Sequence, residues 1–128
     1  MKLTIIRLTT LSEQDNIDLG KIWPDYQPGM LQLDENNRLY AARFNERLLG
    51  AVKVKLASGR ATLEGLCVRE ITRRRGVGLY LMSETLADNP QVAHWEMSAR
   101  DIEDREAMDA FMQALGFDPQ PLGWVKQR

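Results

Sequence analysis

The sequence predicts an α/β or α+β fold, a mixed and largely antiparallel twisted sheet flanked by helices, and three observations carry that prediction. Runs rich in β-branched residues alternate apolar and polar positions, as Val52, Val54 and Leu56 do with Lys53 and Lys55. Helical spacings are bounded by cap signals, a serine at Ser12 and a glycine at Gly116. Between a strand-like run and a helical one lies Thr72-Arg73-Arg74-Arg75-Gly76-Val77-Gly78-Leu79, a glycine turn of the kind that receives a phosphate.

In chain order, Leu3 to Leu8 reads as a first strand. Ser12, with Asp15 at the third position after it, opens a helix that carries Ile17, Leu19, Ile22 and Trp23, and Pro24 ends it. Pro24 to Asn37 holds two prolines and a glycine, which predicts a loop with room for one helical turn around Met30 to Leu33. Arg38 to Phe44 and Arg47 to Leu56 form a hairpin across Asn45-Glu46, because asparagine tolerates positive φ. Ser58-Gly59 turns the chain into a strand from Ala61 to Val68. A helix from Leu79 to Asp88 follows the glycine turn, Asn89-Pro90 breaks it, and Val92 to Ser98 is a further strand. Glu103 to Leu115 is a helix with Ala107, Met108, Phe111, Met112 and Leu115 on one face, and Gly116 stops it. Phe117 and the Trp124-Val125 stretch are expected to close the sheet as short strands. With no repeat or linker, residues 1–128 read as a single domain.

Composition narrows the function. Lys and Arg total 17 against 18 Asp and Glu, a formal net charge of −1, which argues against wholesale nucleic-acid binding. One cysteine, Cys67, excludes an internal disulfide and fits a reducing compartment. The N-terminal stretch Met1 to Arg7 is too interrupted for a signal peptide, and no apolar run approaches the roughly 20 residues of a membrane span. A soluble cytoplasmic domain, monomeric when free, is therefore expected. One histidine and one cysteine cannot assemble a metal site of recognisable spacing, so no metal is expected.

The glycine turn carries the chemistry. A tight turn between strand and helix aims several backbone N–H groups at one point, and the helix dipole makes that point attractive to anions. Gly76 and Gly78 lack a Cβ, which lets a phosphate approach the main chain.

Here the chain resembles the acetyl-CoA-dependent N-acetyltransferase superfamily, the GNAT fold, whose signature is Q/R-x-x-G-x-G/A between its fourth strand and third helix. Arg73-Arg74-Arg75-Gly76-Val77-Gly78 fits each specified position. Leu66-Cys67-Val68 matches the end of the fourth strand, whose main chain pairs with the pantetheine arm in that superfamily. Phe111-Met112-Gln113-Ala114-Leu115-Gly116-Phe117 matches its last helix and the Gly-Phe exit. Within the superfamily the chain is similar to the PanZ (PanM) family, through Lys2 to Leu8, Lys21-Ile22-Trp23-Pro24, Tyr40 to Leu49, Thr72 to Gly78 and Ala110 to Phe117.

That resemblance implies a sensor rather than a transferase. Its members bind CoA or acetyl-CoA and dock on aspartate 1-decarboxylase. Docking promotes self-cleavage of the proenzyme to the pyruvoyl form and restrains the mature enzyme, so that CoA feeds back on its own pathway. The cofactor-contacting set implied is Leu66, Cys67, Val68, Thr72, Arg73, Arg74, Arg75, Gly76, Val77, Gly78 and Leu79. The segment Glu103-Asp104-Arg105-Glu106 joins it, with Arg105 the member expected to touch the ligand. By physics alone, Glu103 and Asp104 complement the dipole of the helix they open. Arg43 and Asn45, at the hairpin, are implied to meet the decarboxylase.

The residues themselves bear on the choice between sensor and enzyme. Transferases of this fold commonly place a tyrosine in the last helix to protonate the departing thiolate, and here that position is Met112, which has no such proton. Glu64 is the base that remains if the alternative holds, an active N-acetyltransferase acting on a small amine or a protein N-terminus. Its ordinary reading is a half-exposed strand residue. Cys67, with no histidine near it in sequence, reads as an inert thiol rather than a nucleophile.

Overall fold

The computed structural model describes residues 3–69, 76–100, 102 and 104–127. In order they form β1 (Thr4–Leu8), α1 (Glu13–Ile22), β2 (Asn37–Phe44), β3 (Arg47–Ala57), β4 (Arg60–Val68), α2 (Val77–Ala87), β5 (His94–Ser98), α3 (Arg105–Ala114), β6 (Asp118–Gln120) and β7 (Gly123–Gln127). The strands join one sheet in the order β1-β2-β3-β4-β5-β7-β6. Only β4 and β5 run parallel, and the other neighbours are antiparallel. The mixed, largely antiparallel α/β sheet is what the sequence predicts.

Local chemistry explains the turns. Asn45 (φ 52°) and Glu46 (φ 65°) both take left-handed conformations between β2 and β3, as do Ser58 (φ 49°) and Gly59 (φ 79°) between β3 and β4. Two consecutive positive φ values match the right-handed twist of the flanking strands. α1 begins with a reciprocal cap. Ser12 Oγ accepts from the Asp15 amide, and the Asp15 carboxylate accepts from the Ser12 amide, at 3.1 Å each.

The sheet separates two apolar layers. On one face α1 sets Leu19 and Ile22 against Leu39, Ala41, Leu48 and Ala51. On the other, α2 and α3 cover Val52, Val54, Leu63, Trp95 and Trp124 with Leu81, Met82 and Met112. Burial of each large side chain contributes about 1.5–3 kcal/mol, which is why the middle of β2 (Leu39 to Ala42) and of β3 (Ala51 and Val52) is buried on both faces.

Several boundaries differ from expectation, among them the start of α2, which is Val77 rather than Leu79 because the left-handed Gly76 already serves as its cap and leaves Gly78 inside the helix. The turn expected at Met30 to Leu33 is not helical. Four residues cannot offset the cost of helix nucleation, and Leu31 and Leu33, two apart, pack against the α1 layer instead. Asp34 Oδ1 then closes that loop by accepting from the Asn36 and Asn37 amides at 2.8 Å each. β5 starts at His94 rather than Val92, because Val92 donates its amide to Asn89 O as part of the α2–β5 connection. α3 starts at Arg105, because Asp104 stands outside it as N-cap and accepts from the Ala107 amide at 3.0 Å.

Candidate functional site

The ladder between β4 and β5 runs from the Arg60–His94 pair to the Leu63–Met97 pair and stops there, whereas β4 continues to Val68. The two parallel strands therefore part at their carboxyl ends, the usual place for a ligand in a sheet of this kind. Next to the fork, β4 contains a bulge. Ala51 pairs with Cys67 but Lys53 pairs with Glu64, so Gly65 and Leu66 together oppose Val52, and Gly65 sits at φ 64°. The extra residue reverses the alternation. Leu63 and Leu66 both pack on the α2–α3 layer, and Cys67 is turned to the α1 layer, where its Sγ donates to Ile22 O at 3.1 Å.

α2 begins at Val77, after Gly76, whose φ of 73° serves as a left-handed N-cap. A Cβ at Gly76 would meet nothing within 4 Å. Gly78 is different. A Cβ there would lie 3.2 Å from Phe111 Cε2 and 3.4 Å from a Val68 methyl, so its bareness lets α2 close onto β4 and α3. The two glycines of the motif thus do separate jobs, backbone conformation at Gly76 and close packing at Gly78.

The three helix starts contrast. α1 is capped by Ser12 and carries Glu13 and Asp15 in its first turn, and α3 is capped by Asp104 and carries Glu106. α2 has neither a side-chain cap nor an acidic residue in its first turn among the described residues. Its leading amides point where an anion would be welcome, and among the described residues of its first turn no carboxylate competes.

Of the other predicted contacts, Thr72, Arg73, Arg74, Arg75 and Glu103 lie outside the described residues. Leu66, Cys67 and Val68 are half-buried, and Leu79 is exposed. Asp104 is occupied as the α3 cap. Arg105 is engaged with the β6–β7 turn. It donates to Pro121 O at 3.0 Å and to Gln120 O, lies 3.6 Å from Asp109, and stacks 4.9 Å from the Trp124 ring centroid. Met112 is fully buried, so the position usually given to a proton donor is core packing. Glu64 is exposed and opposite Lys53, and the bulge puts it on the sheet face away from Leu66. His94 lies 3.5 Å from Glu96, and among the described residues no three His, Cys, Asp or Glu side chains converge on one point.

At the hairpin, Asn45 and Glu46 are exposed at the tip, and both flanks are held from α1. Asp15 accepts from Arg43 at 3.2 Å. Asp18, with no exposed surface, accepts from Arg47 at 2.8 and 2.9 Å, from the Leu48 amide at 3.0 Å and from Gln14 at 3.0 Å. Burial raises the Asp18 pKa, but the hydrogen bonds from Arg47, Leu48 and Gln14 outweigh it and hold the carboxyl below its usual 3.8. Sequence reasoning missed these aspartates as hairpin supports, and it missed Trp23, whose indole N–H donates to Gly65 O at 2.6 Å. Gly65 inside a strand pattern was the available signal for the bulge.

Two surface cavities of about 240 Å³ lie elsewhere. One is roofed by Met30 to Leu33 and floored by Lys53, Lys55 and Glu64, and the other is at the β3–β4 turn beside Gln91.

Comparison with known proteins identifies the family and the fold. A family model described as "PanZ: Acetyltransferase (GNAT) domain" matches residues 2–125. The chain belongs to the PanZ family. Two relatives, each called PanD regulatory factor, are 60% identical to it. The one from Escherichia coli K12 aligns over 98% of this chain and 99% of its own, and the one from Salmonella typhimurium LT2 over 99% and 100%. The solution structure of the E. coli protein YhhK bound to coenzyme A superimposes with a TM-score of 0.90 at 59% identity, covering 100% of both chains. The E. coli ribosomal-protein-S18-alanine N-acetyltransferase shares the fold, with a TM-score of 0.72 at 17% identity over 97% of this chain and 90% of its own. Among the described residues, this PanZ-family chain has no helix long and apolar enough to cross a membrane.

Proposed function

We propose that this chain is a coenzyme A-dependent regulator that docks on aspartate 1-decarboxylase. In this reading it promotes self-cleavage of the proenzyme to its pyruvoyl form and restrains the mature enzyme, so that the end product controls its own pathway. The name shared by the two relatives supports the partner, and the coenzyme-bound solution structure supports the ligand.

The observation that carries the reading is the uncapped start of α2 beside the parted strands β4 and β5. CoA or acetyl-CoA, when bound, supplies a diphosphate and an extended thiol-bearing arm. The amides of Val77, Gly78 and Leu79 would receive the diphosphate, with Thr72 and Arg73 to Arg75 adding a hydroxyl and positive charge beside it. The main chain of Leu66 to Val68 would line the arm. Asp104 and Glu106, at the start of α3, would border the ligand, and Arg105 would act through the β6–β7 turn it holds. Arg43 and Asn45 would face the decarboxylase from a hairpin fixed by Asp15 and Asp18.

Gating then needs only differential affinity. A ligand that binds the docked state ten times more tightly shifts docking by about 1.4 kcal/mol. The buried Met112 supports regulation over acetyl transfer, because that position has no proton to give. The test is processing of purified decarboxylase proenzyme by this protein with and without acetyl-CoA. Coenzyme-dependent acceleration is expected. Thiol release from acetyl-CoA over a panel of amines, without any effect on processing, would move the assignment to an acetyltransferase.

A further inference from the structure

The β4 bulge decides which side chains and amides reach the fork, so what holds it in register matters. Gly65 is the extra residue, and a bulge frees its carbonyl from the regular ladder. Trp23, just past the end of α1, donates its indole N–H to that carbonyl at 2.6 Å. The Lys53 ammonium lies over the ring, 5.4 Å from its centroid, and the ring tilts against Tyr26 with centroids 6.1 Å apart. A Cβ at Gly65 would come within 3.2 Å of the indole nitrogen and 3.1 Å of Lys53 Cε, so the pocket accepts glycine alone without displacing the ring. The preceding residue, Ile22, accepts from Cys67 Sγ at 3.1 Å, and thus the end of α1 grips β4 on both sides of Leu66.

We infer that Trp23 is the positioning residue of the coenzyme-binding strand: its indole N–H fixes the Gly65 bulge, and the bulge sets which face Leu66, Cys67 and Val68 present. A strand has a side-chain period of two, so a slip of one residue would exchange the faces of all three. Trp23 needs no contact with the ligand to do this. The inference deepens the coenzyme reading of the fork and rests on it.

The test replaces Trp23 in the full-length chain in two ways. Trp23→Phe removes the N–H and part of the ring. The sulfur isostere β-(3-benzothienyl)alanine, introduced at that position alone, keeps the shape and removes only the N–H. Calorimetry with coenzyme A and amide NMR spectra of the ligand-free protein are recorded for each. Loss of one hydrogen bond to a partly exposed carbonyl should weaken coenzyme binding about fivefold. The amide signals of Leu66, Cys67 and Val68 should move while those of Arg43 to Arg47 stay.

Unchanged affinity of the isostere, in a background where the natural chain binds, overturns the inference, and so does a spectral change spread evenly over the sheet. A Trp23→Phe chain that fails to fold leaves the decision to the isostere. If the natural chain does not bind coenzyme A, the coenzyme reading falls, and the amide signals alone then judge Trp23: movement confined to Leu66–Val68 supports its role, and silence there refutes it.

Discussion

Replacing Asp18 with asparagine changes one heavy atom and one charge in an enclosed network. The carboxylate has no exposed surface and takes four hydrogen-bonding contacts, two from Arg47, one from the Leu48 amide and one from Gln14. An asparagine oxygen can keep the Leu48 amide, but its NH₂ group then faces the donors of Arg47 and Gln14. Breaking a buried ion pair costs about 3–5 kcal/mol. Here the Arg47 side chain is 41% exposed and can rehydrate, so the cost is reduced to about 2–3 kcal/mol. For a chain of this length that lowers Tm by about 10 °C.

The pH dependence gives a second handle. The folded carboxyl titrates below its unfolded value of 3.8, so its stabilisation is complete above that value and is lost as pH falls through the folded pKa. Thermal melts of both chains from neutral pH into acid should show a gap that is full above 3.8 and narrows as the pH falls below it. A gap under about 1 kcal/mol at neutral pH, or one that persists unchanged in acid, would refute the ion-pair account of the hairpin supports.

Three further outcomes are expected. Asn45→Gly should keep the hairpin while deleting the amide, whereas Asn45→Ala should cost about 1 kcal/mol because alanine resists the φ of 52° found there; only the glycine variant therefore isolates a partner contact, and its docking on the decarboxylase, measured by calorimetry, should weaken with Tm almost unmoved. Gly65→Ala combines a φ of 64° with contact at 3.2 Å from Trp23, so chemical denaturation should report a loss of about 2–3 kcal/mol. Tyr40→Phe removes the hydroxyl that donates to Asp88 and accepts from Asn89 Nδ2 at 3.1 Å, and the same assay should show a loss of about 1–2 kcal/mol.

What could be read in the sequence was local. Asn45-Glu46 and Ser58-Gly59 announce their turns because turn chemistry lies within the residues that make it. Ser12 with Asp15 announces α1 for the same reason. The motif around Gly76 and Gly78 located the start of α2 to within two residues, but the reason for Gly78 is a phenyl ring 33 positions later, at Phe111, which no local pattern reveals. Asp15 was legible only as a partner in the α1 cap and Asp18 not at all, since the hairpin partners Arg43 and Arg47 lie 28 and 29 residues away. Strict alternation along β4 would put Glu64 and Leu66 on one face, and the single extra residue at Gly65 separates them. Met30 to Leu33 failed as a helical turn because Leu31 and Leu33 pack, half-buried, against the α1 layer instead.

The central claim is that a coenzyme lies in the fork between β4 and β5 with its diphosphate on the start of α2. Titrating coenzyme A into ¹⁵N-labelled protein and following the amide signals tests it directly. The claim predicts the largest changes at Leu66, Cys67, Val77, Gly78 and Leu79. Changes centred instead on Leu31, Leu33, Lys53 and Lys55, the cavity on the opposite face, or no saturable change anywhere, would contradict it.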